Sequence, residues 1–429
     1  MSERPEREYR TRYHARWVLP VSIAPIQDGT VVVEHDRIVF VGPRGMAPPA
    51  RDVELGDAIL TPGLVNAHTH LDLTVLRGRI KHASFFEWIR DLVAARDALS
   101  PEDLLVSARA GVRDGLRAGI TTFADTAPSD APFEAMREAG VRGIAYREVF
   151  GPDPAQSDAS LVALKDVVEA MRERETPLVR VGVSPHAPYS VSDELYRKVA
   201  DYARANGLRL ATHVAESEDE SRLVARAEGD FAAFLRRRTI VVEPRARSPV
   251  ELLERCDVLS ERTLLIHCVR VDARDIETMA KHRCGVATCP ISNAILGHGS
   301  APVHAMLDAG LPVGVGSDSM ASNDVMDVFW EASSALRLRP GLWHAPDQQP
   351  LWQLATIGGA RALGLERDIG SLEVGKQADL AAFPLHPGFG RVFDAHETLI
   401  APVGPRARRS MMRASLVVVA GRVLLRDPR

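Results

Sequence analysis

Eight apolar, strand-like runs recur along the middle of this chain, each followed by an amphipathic stretch. That alternation limits the fold more than any other feature. The runs are Ile59–Ala67, Ile120–Asp125, Val141–Val149, Val179–Ser184, Leu208–His213, Thr263–His267, Gly285–Thr288 and Leu311–Gly316. Amphipathic stretches such as Pro101–Arg117, Ser160–Arg174, Ser192–Asn206, Asp272–His282 and Ala301–Ala309 lie between them. Several close on Gly or Asn just before the next run, as at Ala118-Gly119, Asn206-Gly207 and Ala309-Gly310. Such residues accept the left-handed backbone that ends a helix. Eight strand–helix units predict an α/β fold, a closed (β/α)8 TIM barrel over residues 59–369. A doubly wound open sheet is the alternative, and the lack of a glycine-rich phosphate loop after the first run argues against it.

The two chain ends read differently. DGTVVVEHDRIVFVG alternates β-branched with polar residues, and GSLEVGKQADLAAFPL and ASLVVVAGRVLLRD repeat the pattern near the other end. Each end alone offers too few strands to bury a face. Residues 1–58 and 370–429 are therefore expected to pair into one small β-sandwich domain. The chain has 429 residues, 45% of them hydrophobic, enough for a barrel plus this smaller unit. Its 53 basic and 57 acidic residues leave a formal charge of -4, which excludes a phosphate-driven nucleic-acid partner. The opening MSERPEREYRTRYHARW has no apolar core of an export signal, and no stretch approaches the roughly 18 apolar residues of a membrane span. A cytoplasmic protein without membrane partners is expected, with the homodimer left open. The four cysteines form no CxxC pair and read as buried reduced thiols.

In barrels of this kind the carboxyl ends of the strands build the active site. The first run ends in His68-Thr69-His70, two imidazoles spaced to share one side of a strand. The fourth runs into Ser184-Pro185-His186, the fifth into ATHVAESE with His213 and Glu216, the sixth into His267 and the eighth into VGVGSDS with Asp318. Any one of these could be a satisfied core histidine or a capping acid. Together, at equivalent strand ends, they point to a metal site.

With those residues in place, the chain resembles the amidohydrolase superfamily, within it the chlorohydrolase/aminohydrolase branch of mononuclear deaminases. The matching segments are TPGLVNAHTHLDLTVLRG, VGVSPHAPYSVS, THVAESEDE, LLIHCVRVD, CPISNAILGHGSAPV, VGVGSDSMASND and GSLEVGKQADL, in the family's order. The resemblance implies His68, His70, His213 and Asp318 as ligands of one divalent metal, zinc or else iron. It implies Glu216 and His267 as the proton-handling pair. Those roles suit the residue types. Three imidazoles and a carboxylate leave a bound cation positive and acidify water, and Asp318 can also accept a hydrogen bond from that water. Glu216 can carry a proton and His267 can stabilise the attacked centre. The fourth strand carries no lysine, which speaks against a carbamylated bridge between two metals. Cys284 and Cys289 do not have the P-C-x-x-C spacing of the other zinc deaminase scheme. Cys284 reads as core, Cys268 as packing and Cys289 as a pocket wall.

HTHLDLTVLRG, the Ser248–Val269 segment and SNAILGHGSAPV resemble aminodeoxyfutalosine deaminases of the alternative menaquinone pathway. The resemblance implies hydrolysis of 6-amino-6-deoxyfutalosine to futalosine and ammonia. Alternatives are S-adenosylhomocysteine or methylthioadenosine, or a guanine, pyrimidine or triazine ring. The Pro-x-Glu ribose clamp expected of adenosylhomocysteine deaminases is absent after Phe86-Glu87-Trp88. A substrate ending in a benzoate wants a guanidinium. Arg147 is a candidate, as is an arginine of Gly229–Pro249, a segment that reads first as a solvated loop and alternatively as a lid over the barrel mouth. Glu148 is expected at the ribose, with His186 and Asn293 as further substrate contacts. Arg147 and Glu148 are adjacent, so only one can face the lumen of a regular strand. His186 could instead be structural, and Asn293 a turn or cap residue. A non-catalytic barrel acting as an interaction module is the reading from another class, and the presence of both Glu216 and Asp318 with every histidine speaks against it.

Overall fold

A computed structural model describes residues 10–81, 84–337, 349–385 and 413–427. The charged opening at residues 1–9, and residues 386–412 and 428–429 of the expected second sandwich segment, lie outside the described residues. The eight barrel strands are β1 (Leu64–His70), β2 (Ile120–Ala127), β3 (Arg142–Val149), β4 (Val179–Pro185), β5 (Leu210–Val214), β6 (Thr263–His267), β7 (Gly285–Thr288) and β8, split into Val313–Val315 and Asp318–Ser319. Neighbours pair in parallel from β1 to β8. The first half of β8 pairs with β7, and its second half pairs with β1 through Asp318 against Thr69, so the sheet closes on itself. This is the expected (β/α)8 barrel.

Inward side chains such as Val65, Ala67, Ile144, Tyr146, Ala211, Leu264 and Ile266 fill the interior, so the barrel is a packed core rather than a pore. Outward ones such as Val181, Val183 and Leu265 join the residues of the surrounding helices. Those helices follow the sequence closely. Pro101–Arg117 starts with a capping box at Ser100 and Asp103, and Gly119 (φ +83°) breaks it ahead of β2.

The chain ends meet in one sheet with its own core, as the alternating pattern required. Arg10–Val18 pairs with Ile26–Glu34 on one side and with Arg51–Glu54 and Ala58–Pro62 on the other. Ala58–Pro62 pairs in turn with Leu380–Pro384, which leads to Leu416–Val419 and Arg422–Arg426. Tyr13, Val31, Ile38, Leu60, Leu380 and Val418 pack inside it. The run read as Ile59–Ala67 is thus two strands. They part at Gly63, where a Cβ would collide with the Thr121 side chain. Arg142 at the start of β3 pairs with Asp379 at 2.8 Å in a buried bridge that fastens barrel to sheet. Among the described residues, no helix is long and apolar enough to cross a membrane.

Candidate active site

The carboxyl ends of β1, β5, β6 and β8 bring the expected residues to one place. His68 Nε2 lies 3.3 Å from Asp318 Oδ1, His70 Nε2 lies 3.6 Å from the same oxygen, and His213 Nε2 lies 3.3 Å from His70 Nε2. Two donors each about 2.1 Å from one ion at tetrahedral angles stand about 3.4 Å apart, so these spacings suit a single cation. The donor chemistry agrees. Both ring nitrogens of His68 are buried with no hydrogen-bond partner among the described residues. Burial pushes its pKa down to about 4, leaving a neutral imidazole with a free lone pair. His213 Nδ1 donates to the His186 carbonyl at 3.1 Å, which directs its Nε2 lone pair inward. Burial also holds the His213 pKa well below its ordinary value. Asp318 is fixed by Ser292 Oγ (2.6 Å) and the Ser319 N–H (2.7 Å). Burial opposes its charge, but the close contact of His68 at 3.3 Å and the nearby imidazoles keep its carboxyl well below the usual range. A divalent metal therefore fits His68, His70, His213 and Asp318.

Beside them stands Glu216, buried, with Oε1 at 3.6 Å from His267 Nε2 and 3.4 Å from His298 Nε2. Burial works against its ionisation, yet His267 and His298 hold its carboxyl below the ordinary value. His267 is oriented by Asn293, whose Oδ1 lies 2.9 Å from Nδ1. These groups open onto a cavity of about 400 Å³ that His70, His213, Glu216, His267 and Asp318 all line. Its walls are apolar: Phe85, Phe86, Trp88, Ile89, Leu92 and Val93 from helix α1 (Phe85–Asp97), and Phe231 and Phe234 from helix α2 (Asp230–Arg237).

Among the expected substrate contacts, Glu148 and His186 reach the cavity, while Arg147 and Asn293 do not. Strand parity decides the first pair: Ile144, Tyr146 and Glu148 point inward, so Arg147 points out and pairs with Asp130 at 3.0 Å. Glu148 Oε1 is buried without a hydrogen-bond partner among the described residues, and burial raises its pKa to about 7. His186 Nδ1 is 2.7 Å from Ser190 Oγ, and burial lowers its pKa to about 3. Asn293 is committed to His267 and is fully buried. The segment Gly229–Pro249 does supply a wall, but through phenylalanines. Arg236 caps the Ala227 carbonyl, Arg245 pairs with Asp193, and Arg247 pairs with Asp272 and Asp275. Cys289 packs into the barrel interior and is absent from the cavity wall. The arginines that do line the cavity, Arg90 and Arg96, lie on α1. Sequence reasoning missed them, together with His298 and Asp72. The amphipathic run after Phe86-Glu87-Trp88 could have raised the two arginines, had its polar face been placed over the barrel mouth.

Residues 59–407 match the family described as the Amidohydrolase family. This chain belongs to it. Family membership makes the chain a metal-dependent hydrolase of carbon–nitrogen bonds in a small molecule. Among curated relatives, the amidohydrolase is 33% identical over 375 residues to a 5-methylthioadenosine/S-adenosylhomocysteine deaminase of Moorella thermoacetica, covering 85% of this chain and 83% of that one. It is 31% identical over 412 residues to the protein of that name from Desulfitobacterium hafniense, covering 93% and 89%. Among solved structures, an adenosine deaminase from Xanthomonas campestris with bound zinc superposes with a TM-score of 0.83 at 27% identity, covering 97% of this chain and 93% of that one. An aminofutalosine deaminase from Helicobacter pylori in complex with methylthio-coformycin shares the fold, with a TM-score of 0.83 at 20% identity over 96% and 99%.

Proposed function

We propose that this amidohydrolase is a hydrolytic deaminase of 6-aminopurine nucleosides whose 5′ substituent joins an apolar body to an anionic end, with 6-amino-6-deoxyfutalosine as substrate and futalosine and ammonia as products. One observation carries the substrate reading. The cavity that reaches Glu216 is walled by phenylalanines and aliphatic side chains, and among the described residues the arginines lining it are Arg90 and Arg96. Arg96 also pairs with Asp97 at 2.7 Å. An apolar ring ending in a carboxylate suits such a wall, with a guanidinium to meet the charge. The deaminase names of the relatives support the ring chemistry.

His68, His70, His213 and Asp318 would hold the divalent metal, zinc in this reading, which when bound supplies a Lewis acid that acidifies water. Glu216 takes the proton from the attacking water and passes it to the purine ring. Water oxygen bonds C6, the C6–N bond breaks, and ammonia leaves with a proton relayed by the same carboxylate. His267, held in place by Asn293, lies beside the oxygen that accumulates charge at C6 and stabilises the attacked centre. Glu148 accepts from the ribose hydroxyls, and His186 hydrogen-bonds the nucleoside at the mouth of β4. The apolar walls exclude bulk water from this exchange.

Ammonia release from aminodeoxyfutalosine, methylthioadenosine, S-adenosylhomocysteine and adenosine tests the proposal. Aminodeoxyfutalosine should give the highest kcat/KM. Arg90→Gln and Arg96→Gln should raise KM for it while leaving methylthioadenosine unaffected. A preference for methylthioadenosine would remove the anionic-tail reading, and inertness towards every 6-aminopurine would remove the deaminase reading.

A further inference from the structure

We infer that His298 is a positioning residue that fixes the Glu216 carboxylate, so that the segment 290–299 clamps the proton-carrying group from both sides. The inference rests on the deaminase reading for what Glu216 does, and on geometry for how it is held. Glu216 Oε1 stands between two rings, His267 Nε2 at 3.6 Å and His298 Nε2 at 3.4 Å; the second is a charge contact in which the buried Nε2 faces the carboxylate without forming a hydrogen bond among the described residues. Both are supported by the chain that follows β7. Asn293, on helix α3 (Pro290–Ile295), meets His267 Nδ1 at 2.9 Å, and the Asn293 carbonyl accepts the His298 N–H at 2.8 Å. One residue thereby ties the two histidines together.

His298 is 4% exposed, yet it is absent from the cavity wall, so it acts on substrate only through Glu216. The backbone is shaped to bring it there. Gly297 (φ +73°) and Gly299 (φ +102°) flank it in conformations that side chains rarely adopt. Phe85 of α1 closes the ring's other side, edge to face at 4.4 Å and 86°. A carboxylate with two terminal rotations needs such anchoring, because proton transfer depends on keeping its oxygens aimed.

The test compares His298→Leu, which keeps bulk and loses the donor, with His298→Gln, which keeps a donor that cannot titrate. His298→Leu should lower kcat about 10- to 100-fold at unchanged KM and metal content, and His298→Gln should restore most of it. Crystal structures should show the Glu216 carboxylate turned away in His298→Leu and in place in His298→Gln. Equal losses in both variants, a change confined to KM or metal content, or an unmoved Glu216 in His298→Leu would overturn the inference. A parent enzyme inert towards all 6-aminopurines would sink the deaminase reading alone, since the position of Glu216 still decides the role of His298.

Discussion

Glu216→Gln separates proton transfer from every other function of the site. The amide matches the carboxylate in volume, and the side chain sits beside the metal-ligand cluster without belonging to it. Its carbonyl oxygen can still face His267 and His298, which stand 3.6 and 3.4 Å from Oε1. Packing, metal content and melting temperature should therefore stay close to the parent. An amide cannot accept and release a proton at these steps. General acid–base groups contribute about 10²- to 10⁴-fold, and in the proposed mechanism one carboxylate serves both halves of the exchange. The upper end applies: a fall in kcat of about 10⁴-fold, on the order of 5 kcal/mol of barrier. The assay is single-substrate ammonia release at saturation, with elemental analysis on the same sample. A variant with full metal and a rate within tenfold of the parent would refute the role given to Glu216. A rate loss explained by lost metal would refute its separation from the ligand set.

Two further outcomes follow from burial and close packing. In metal-stripped protein, burial raises the Glu148 pKa to about 7 from 4.5, so the folded state holds its proton longer than the unfolded chain does. Stability from this group is full below about pH 4.5 and is lost as pH rises through about 7. Glu148→Gln, which mimics the protonated form, should therefore melt progressively higher than the parent across that window, with a flat difference refuting it. Gly316→Ala should cost about 1–3 kcal/mol and weaken metal retention. Its Cβ would meet His68 Cβ and the His68 carbonyl at 2.7 Å, prising β8 from β1 where Asp318 must face His68. Normal melting and metal content would refute that packing argument.

The barrel was legible because its evidence is periodic. Apolar runs, amphipathic stretches and helix-ending residues alternate at a spacing that few folds accept, and helices such as Pro101–Arg117 lie where the pattern put them. The metal cluster was legible for a related reason: equivalent strand ends converge, so residues far apart in sequence share an address. The substrate wall was not. Arg90 and Arg96 reach the cavity because α1 lies across the barrel mouth, and that placement depends on packing of Phe85 against Tyr189 and Phe231 rather than on local pattern. Parity gave a choice between Arg147 and Glu148 but could not make it without the barrel's orientation. His298 sits in a loop with no period at all, and nothing local distinguishes it from a solvated histidine.

Parity also fails at the strand ends that matter most, and there the structure supplies the reason. Ile266 faces the barrel interior, so regular alternation would turn His267 out towards the helices. Instead His267 and Cys268 adopt φ of +73° and +50°, and Ala215 (φ +52°) and Asp318 (φ +55°) do the same after β5 and within β8. Left-handed conformations of this kind cost about 1–3 kcal/mol each and persist only where surrounding bonds enforce them. Here the Cys268 N–H donates to the Val214 carbonyl (3.1 Å) and the Arg270 N–H to the Ala215 carbonyl (2.7 Å). The buried Glu220 carboxylate accepts from the Ala215 and Glu216 N–H groups at 2.8 Å each. These bonds lock the chain at the points where it leaves strand geometry. The left-handed turns are therefore the devices that bring Glu216 and His267 to the cavity beside the histidine–aspartate cluster, and Glu220, which never reaches the cavity, is part of what holds the proposed proton-carrying pair in place.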